Sequence, residues 1–167
     1  MNYSRSIVIA SLFFCLTSAA FAEEEKDSPK QFITDWASAF QKNDHKVLLD
    51  FYDQSEDVEL IVSAGIRLQG YREIQKALKN DFGAVTFSDS KVKKVSVRKL
   101  GETALVAFEH RFKMESKNDG QRLQVHIQTT SVLNRKDGVW KIVLEHSSPI
   151  KGIQRYAPII KDLKPAP

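Results

Sequence analysis

Apolar positions follow a helical period in the first part of the chain and a two-residue period in the last. Ser28-Pro29 offers a cap followed by a first-turn proline, and Phe32, Ile33, Trp36, Ala37 and Phe40 then form one stripe at helical spacing. Asn43-Asp44 ends this helix and caps a second, short one, in which Val47, Leu48, Phe51 and Tyr52 face inward. Two antiparallel helices joined by a tight turn follow. Val58 to Ser63 reads as a strand, Ala64-Gly65 as its turn and Ile66 to Gln69 as its return. Gly70 precedes a third helix, Tyr71 to Phe82, with Ile74, Ala77 and Leu78 on one side and Gly83 closing it.

From Val85 the pattern becomes long strands. They run Val85 to Val97, Thr103 to Met114, Leu123 to Asn134 and Trp140 to Pro149. The turns between them are Leu100-Gly101-Glu102, Lys117-Asn118-Asp119-Gly120 and Lys136-Asp137-Gly138. Helices first and strands later predict an α+β layer rather than alternating βαβ units. A bent antiparallel sheet wrapped around the first helix would bury Trp36 and Phe40. Strict alternation puts Trp140, Ile142, Leu144, His146 and Ser148 on one face of the last strand, an apolar wall ending in an imidazole and a hydroxyl. In the strand before it, Leu123, Val125, Ile127, Thr129, Ser131 and Leu133 share one face and Arg122, Gln124, His126, Gln128, Thr130 and Val132 the other. Simple burial turns the first set inward.

The N-terminus adds an address. Residues 1–22 carry Arg5 as their only charge, a short apolar run from Ile7 to Leu16, and Ala20-Phe21-Ala22 before an acidic Glu23-Glu24-Glu25. These are the parts of a secretory signal peptide, with an apolar run too short to span a bilayer. The expectation is a protein exported to the periplasm or beyond the cell, with no membrane attachment once the leader is cleaved. Its domains are then a leader at 1–22, a linker at 23–30, one globular domain at 31–149 and a tail at 150–167. The one cysteine, Cys15, lies inside the leader, so the mature chain has no disulfide, thiolate nucleophile or cysteine metal site. The formal charge of +4 is mild and mixed along the chain, which argues against nucleic acid as a partner. The basic run Lys91 to Lys99 alternates with valines and a serine. It reads either as an edge strand protected from aggregation by lysines or as an anion patch.

Three stretches resemble a known family. Trp36-Ala37-Ser38-Ala39-Phe40, Asn43-Asp44 and Leu48-Leu49-Asp50-Phe51-Tyr52 are similar to the first two helices of SnoaL-like proteins. Gly70-Tyr71-Arg72-Glu73-Ile74 resembles the start of their third helix. Asp137-Gly138-Val139-Trp140-Lys141-Ile142-Val143, followed by Glu145-His146-Ser147-Ser148-Pro149, resembles their closing strand. The resemblance runs from about Phe32 to Pro149, and the family belongs to the nuclear-transport-factor-2-like superfamily. It implies a cone of curved sheet and three helices around a central cavity, and it implies no single reaction. It also implies that Gln128 and Thr130 line the cavity. Val125 and Ile127 would then lie outside and need a cover, which a second copy in a homodimer supplies.

The candidate chemistry centres on His146, which in an apolar pocket would titrate near neutrality and move protons, or else serve as a satisfied core histidine. His110 lies on the mostly apolar face of Ala104, Val106, Phe108 and Phe112, as a second cavity histidine or at an exposed strand end. Tyr52 stands where family members often place a cavity residue, so its hydroxyl either polarises a carbonyl or reaches the rim. With Trp36, Phe40, Phe108, Gln128, Thr130, Trp140, Leu144 and Ser148, these residues make the candidate ligand-binding set. No G-x-S-x-G elbow, H-E-x-x-H motif, phosphate loop or dinucleotide fingerprint occurs, and the four histidines lack ligand spacing, so no metal and no cofactor are expected. Family enzymes that abstract a carbon-bound proton often use a cavity aspartate. Here Asp35 and Asp50 lie off the apolar stripes and Glu145 is set opposite His146, so no inward carboxylate is expected. The primary expectation is an exported protein that binds a small, largely apolar molecule. The alternatives are a lyase, dehydratase or isomerase using His146, His110 and Tyr52, and a non-catalytic module that self-associates.

Overall fold

A computed structural model describes residues 27–150. The expected leader, half of the expected linker and the expected tail beyond Ile150 lie outside the described residues.

Helix α1, Pro29–Phe40, starts where Ser28 Oγ accepts the Gln31 N–H at 3.2 Å and Pro29 occupies the first turn. Its buried side, Ile33, Trp36, Ala37 and Ala39, lies against the sheet. Asp44 caps α2, His45–Leu49, by accepting the Lys46 N–H at 2.9 Å. This helix ends earlier than the sequence suggests, so Phe51 and Tyr52 lie beyond it. Strands β1, Glu59–Ile61, and β2, Arg67–Gln69, form the short hairpin. Gly70 leads into α3, Tyr71–Ala84, with a φ of 87° and the place of a Cβ only 3.0 Å from Glu56 Oε2. Both facts favour glycine there. Gly83, expected to close this helix, lies within its last turn.

The four long strands are β3, Val85–Leu100, β4, Thr103–Ser116, β5, Arg122–Lys136, and β6, Val139–Pro149. With the hairpin they make one curved six-stranded sheet in the order β2-β1-β6-β5-β4-β3. β1 runs parallel to β6 and every other pair is antiparallel. Asp137 and Gly138 connect β5 to β6 with φ values of 53° and 81°, the positive pair that a tight two-residue hairpin needs. The fold is therefore α+β, as the element order predicts.

One face of the sheet packs on the helices. Ala104, Val106, Phe108, His110 and Phe112 of β4 are buried on that face. So are Val125, Ile127, Thr129, Ser131 and Leu133 of β5, which settles β5 in favour of simple burial. Gln128 is exposed and Thr130 only half-buried on the opposite face. This corrects the inward placement that the resemblance implied, because the pairing of β5 with β4 keeps a strict alternation. β3 forms one end of the sheet, and Lys91, Lys93, Lys94, Arg98 and Lys99 are all exposed on it. It carries one extra residue between Ser88 and Lys91 and another between Lys93 and Ser96. Bulges and lysines are two ways an edge strand resists pairing with another chain, which supports the edge-strand reading of this run.

Candidate functional site

The decisive local feature is in β6. Val132 of β5 faces Leu144, while the next residue, Leu133, faces Ile142. Val143 is thus an extra residue, and this bulge reverses the alternation of everything after it. Trp140 and Ile142 point inward before it, and Glu145 and Ser147 point inward after it. His146 and Ser148 are exposed and Leu144 is half-buried, all on the outer face. The expected wall of Trp140, Ile142, Leu144, His146 and Ser148 is therefore corrected. His146 lies outside the interior, and the inward carboxylate that seemed missing is Glu145.

Glu145 is 4% exposed, and its Oε2 lies 3.0 Å from the Tyr52 hydroxyl. Tyr52 is placed by its backbone. Ile142 N–H donates to Phe51 O at 2.8 Å and Asp53 N–H to Ile142 O at 2.9 Å, a parallel bridge centred on Tyr52 and Ile142. Two residues further along β6, β1 takes up pairing with Leu144 to His146. The bulge lies between these two attachments, so Tyr52 on one side and β1 on the other frame Glu145.

Ser131 stands directly across from Glu145 on β5, fully buried, and its Oγ has no hydrogen-bond partner. The Trp36 indole N–H is also buried without a partner. It lies near enough to the Tyr52 oxygen to favour the phenolate slightly, yet falls short of hydrogen-bond geometry. On the next inward pair of the same strands Thr129 Oγ1 and Ser147 Oγ are 2.9 Å apart. A strip of polar groups thus crosses β5 and β6 beside α1.

Burial pushes the Glu145 carboxyl up to about 7, and the Tyr52 hydrogen bond opposes this only in part. The Tyr52 phenol is raised well above its ordinary value, by burial first and by the nearby carboxyl second. Tyr52 therefore stays protonated at neutral pH while Glu145 is poised to give or take a proton. Among the described residues no Lys or Arg is buried, so the interior offers no cation to an anionic ligand.

The remaining candidates sort by position. Trp36 and Phe108 are buried, with ring centroids 5.7 Å apart, and Phe40 packs on Trp36 at 5.1 Å. Trp140 is buried at another part of the inner face. Its Nε1 donates to the Asp27 carbonyl at 3.1 Å, and the Arg135 guanidinium lies 5.7 Å from its ring. His110 is fully buried, so the exposed strand end offered as its alternative does not occur. His126 lies on the outer face, 3.2 Å from Glu109 Oε2 and accepting from Arg111 Nε at 3.1 Å. Alternation alone missed Glu145 and Ser147, while it turned Thr129 and Ser131 inward. A signal was available in Ile142-Val143-Leu144, three apolar residues in succession where a half-buried strand should alternate.

The profile of the SnoaL-like domain matches residues 30–151, most of the chain. The chain belongs to the SnoaL-like family. A proposed dehydratase of the NTF2-like family from Streptomyces avermitilis is similar in structure. The two align with a TM-score of 0.66 at 18% identity, over 78% of this chain and 98% of that one. A ketosteroid isomerase-like protein from Erwinia carotovora atroseptica aligns with a TM-score of 0.62 at 18% identity, over 72% and 92%. A proposed calcium/calmodulin-dependent protein kinase type II association domain from Thiobacillus denitrificans aligns with a TM-score of 0.62 at 20% identity, over 74% and 96%. At these identities the likeness is one of fold, and the SnoaL-like fold serves ligand-binding and enzyme-like members alike. No curated protein matches the chain.

Proposed function

We propose that this SnoaL-like domain is a cone whose interior holds a small, uncharged, largely apolar molecule, with the Tyr52–Glu145 pair as its polar contact. The observation that carries the reading is Glu145. A buried carboxyl is unfavourable unless it is met by partners, and this one has Tyr52, with the unpartnered Ser131 hydroxyl directly across the ladder. Aromatic walls from Trp36, Phe40 and Phe108 suit an apolar body, and the absence of a buried cation disfavours an acid. Export follows from the leader at 1–22, and N-terminal sequencing of secreted protein should begin at Glu23. Pairing of two copies through the outer sheet face is supported by Leu105, Val132 and Leu144, which lie side by side there. Light scattering should give twice the chain mass, and a monomer at all concentrations refutes it.

A second reading, favoured by a carboxyl near neutrality beside a phenol, is proton-transfer catalysis of the lyase or isomerase type. Glu145 would move the proton and Tyr52 would hold the oxygen, in place of His146. Such chemistry is in keeping with the dehydratase and isomerase-like proteins of the same fold.

Native mass spectrometry of protein purified from its host tests both readings. Wild type and His146→Ala should carry the same added mass, and Glu145→Leu should carry none. Retention of that mass by folded Glu145→Leu sinks the binding reading. If a dehydration occurs, Glu145→Gln should trap a molecule heavier by one water than the one on wild type.

A further inference from the structure

A second polar pair lies on the inner face at a distance from the first. Ser90 Oγ is 2.8 Å from His110 Nε2, and both residues are buried. The imidazole is boxed by Trp36, Phe40 and Phe112, with ring centroids at 5.0, 5.3 and 4.7 Å. Burial brings its pKa down to about 3, so the ring is neutral in ordinary buffers. A neutral imidazole has one donor and one acceptor nitrogen. Nε2 is engaged with Ser90, and Nδ1 is buried with no partner. Whichever tautomer forms, one polar atom is left unmet, and a group of that kind calls for a partner from outside the chain.

The position of Ser90 comes from a local departure in β3. The extra residue between Ser88 and Lys91, with Asp89 at a φ of 53°, turns Ser90 inward toward β4. The α1–α2 turn holds this part of β3 from the side. Asn43 Nδ2 donates to Phe87 O at 2.9 Å, Phe87 N–H donates to Asn43 Oδ1 at 2.6 Å, and Gln41 Nε2 donates to Ser90 O at 3.4 Å.

The two polar pairs lie on either side of Trp36, whose ring contacts His110 and whose N–H is near Tyr52. On the sheet, Val106, Ser131 and Glu145 form one inward row and Phe108, Thr129 and Ser147 the next. His110 and Ile127 begin the row beyond. We propose that Ser90–His110 is a second polar contact for the same ligand, so that the preferred molecule is uncharged, elongated and apolar, with an oxygen function at each end. The inference rests on the ligand-binding reading above. Ser90 orients the ring and His110 Nδ1 meets the distal oxygen.

Two fluorescent probes with the same biphenyl core test it in the full mature protein: 4-phenylphenol, with one hydroxyl, and 4,4′-dihydroxybiphenyl, with two. Wild type should bind the second about three- to tenfold more tightly, the value of one further hydrogen bond. His110→Phe should reduce that ratio to about one. Ser90→Ala should lower the ratio without unfolding the chain, and it serves as the test if His110→Phe does not fold. Glu145→Leu should weaken both probes. Equal affinity of wild type for the two probes overturns the second contact and leaves the first standing. Unchanged binding of both probes to Glu145→Leu overturns the first instead. Failure of wild type to bind either probe overturns both.

Discussion

Strands β4 and β6 show how two similar-looking sequences obey alternation to different extents. β4 alternates without interruption, and Ala104, Val106, Phe108, His110 and Phe112 are all buried. β6 begins the same way with Trp140 and Ile142, then exchanges faces at Val143. β4 is paired along its length by β3 and β5, and its partner β5 matches it residue for residue. β6 is joined on its other side by two separate segments, Tyr52 and then β1, and its extra residue lies between them. The lesson is that a strand's faces are set by its neighbours as much as by its own sequence. The bulge is also what brings a carboxyl to the interior.

Inserting one alanine between Leu144 and Glu145 is the strongest way to break the contrast. The insertion shifts the register after the bulge by one residue and would turn His146 in and Glu145 out, leaving Tyr52 without its partner. It should cost more than about 4 kcal/mol or prevent folding, well outside the range of ordinary substitutions. Urea unfolding measures it, and a loss below about 1 kcal/mol would mean that the register after the bulge is not what the fold depends on.

Protonation sharpens the same contrast. Glu145 on β6 has a folded pKa of about 7, above the ordinary carboxyl value of 4.5. Between those values the folded chain keeps a proton that the unfolded chain has released, so stability should fall as pH rises through this window, by about 3 kcal/mol, and level off above it. His110 on β4 is shifted the other way, from 6.5 to about 3. There the unfolded chain binds the proton first, so its contribution falls as pH is lowered through that range. The two slopes oppose each other where they overlap. Glu145→Gln should abolish the loss toward neutral pH and leave the acid loss in place. Unfolding free energy measured against pH should show it, and an unchanged profile contradicts the buried carboxyl.

Tyr52→Phe should have a smaller effect. It removes the one hydrogen bond to Glu145 and should destabilise by about 1–3 kcal/mol. The Glu145 pKa should rise further, because that bond favours its ionised form. Carbon-detected NMR titration of the carboxyl reads this directly, and a fall in pKa contradicts the geometry. His146→Ala, on the exposed face, should change stability by less than about 0.5 kcal/mol. A larger drop in the melting free energy would place the ring inside after all.

Much of the architecture was legible from the chain alone. Helical spacing from Phe32 to Phe40, the Ser28 and Asp44 caps, the Asp137-Gly138 turn and the change to two-residue alternation after Val85 are local signals. Local backbone preferences and side-chain periodicity are enough to produce the elements they announce. The interior faces of β4 and β5 were readable for the same reason, since nothing interrupts their ladder. Tyr52 was legible as a candidate, but its hydrogen-bond partner was not, because the two residues lie on segments far apart in sequence. The inward turns of Glu145 and of Ser90 depend on single extra residues in β6 and β3. A bulge exists only between paired strands and leaves little trace in the strand that bears it. The sequence by itself therefore determined the elements, their order and most of the core. Only the tertiary pairing decided which polar side chains of β3 and β6 turn inward, because one residue of register inverts every face that follows.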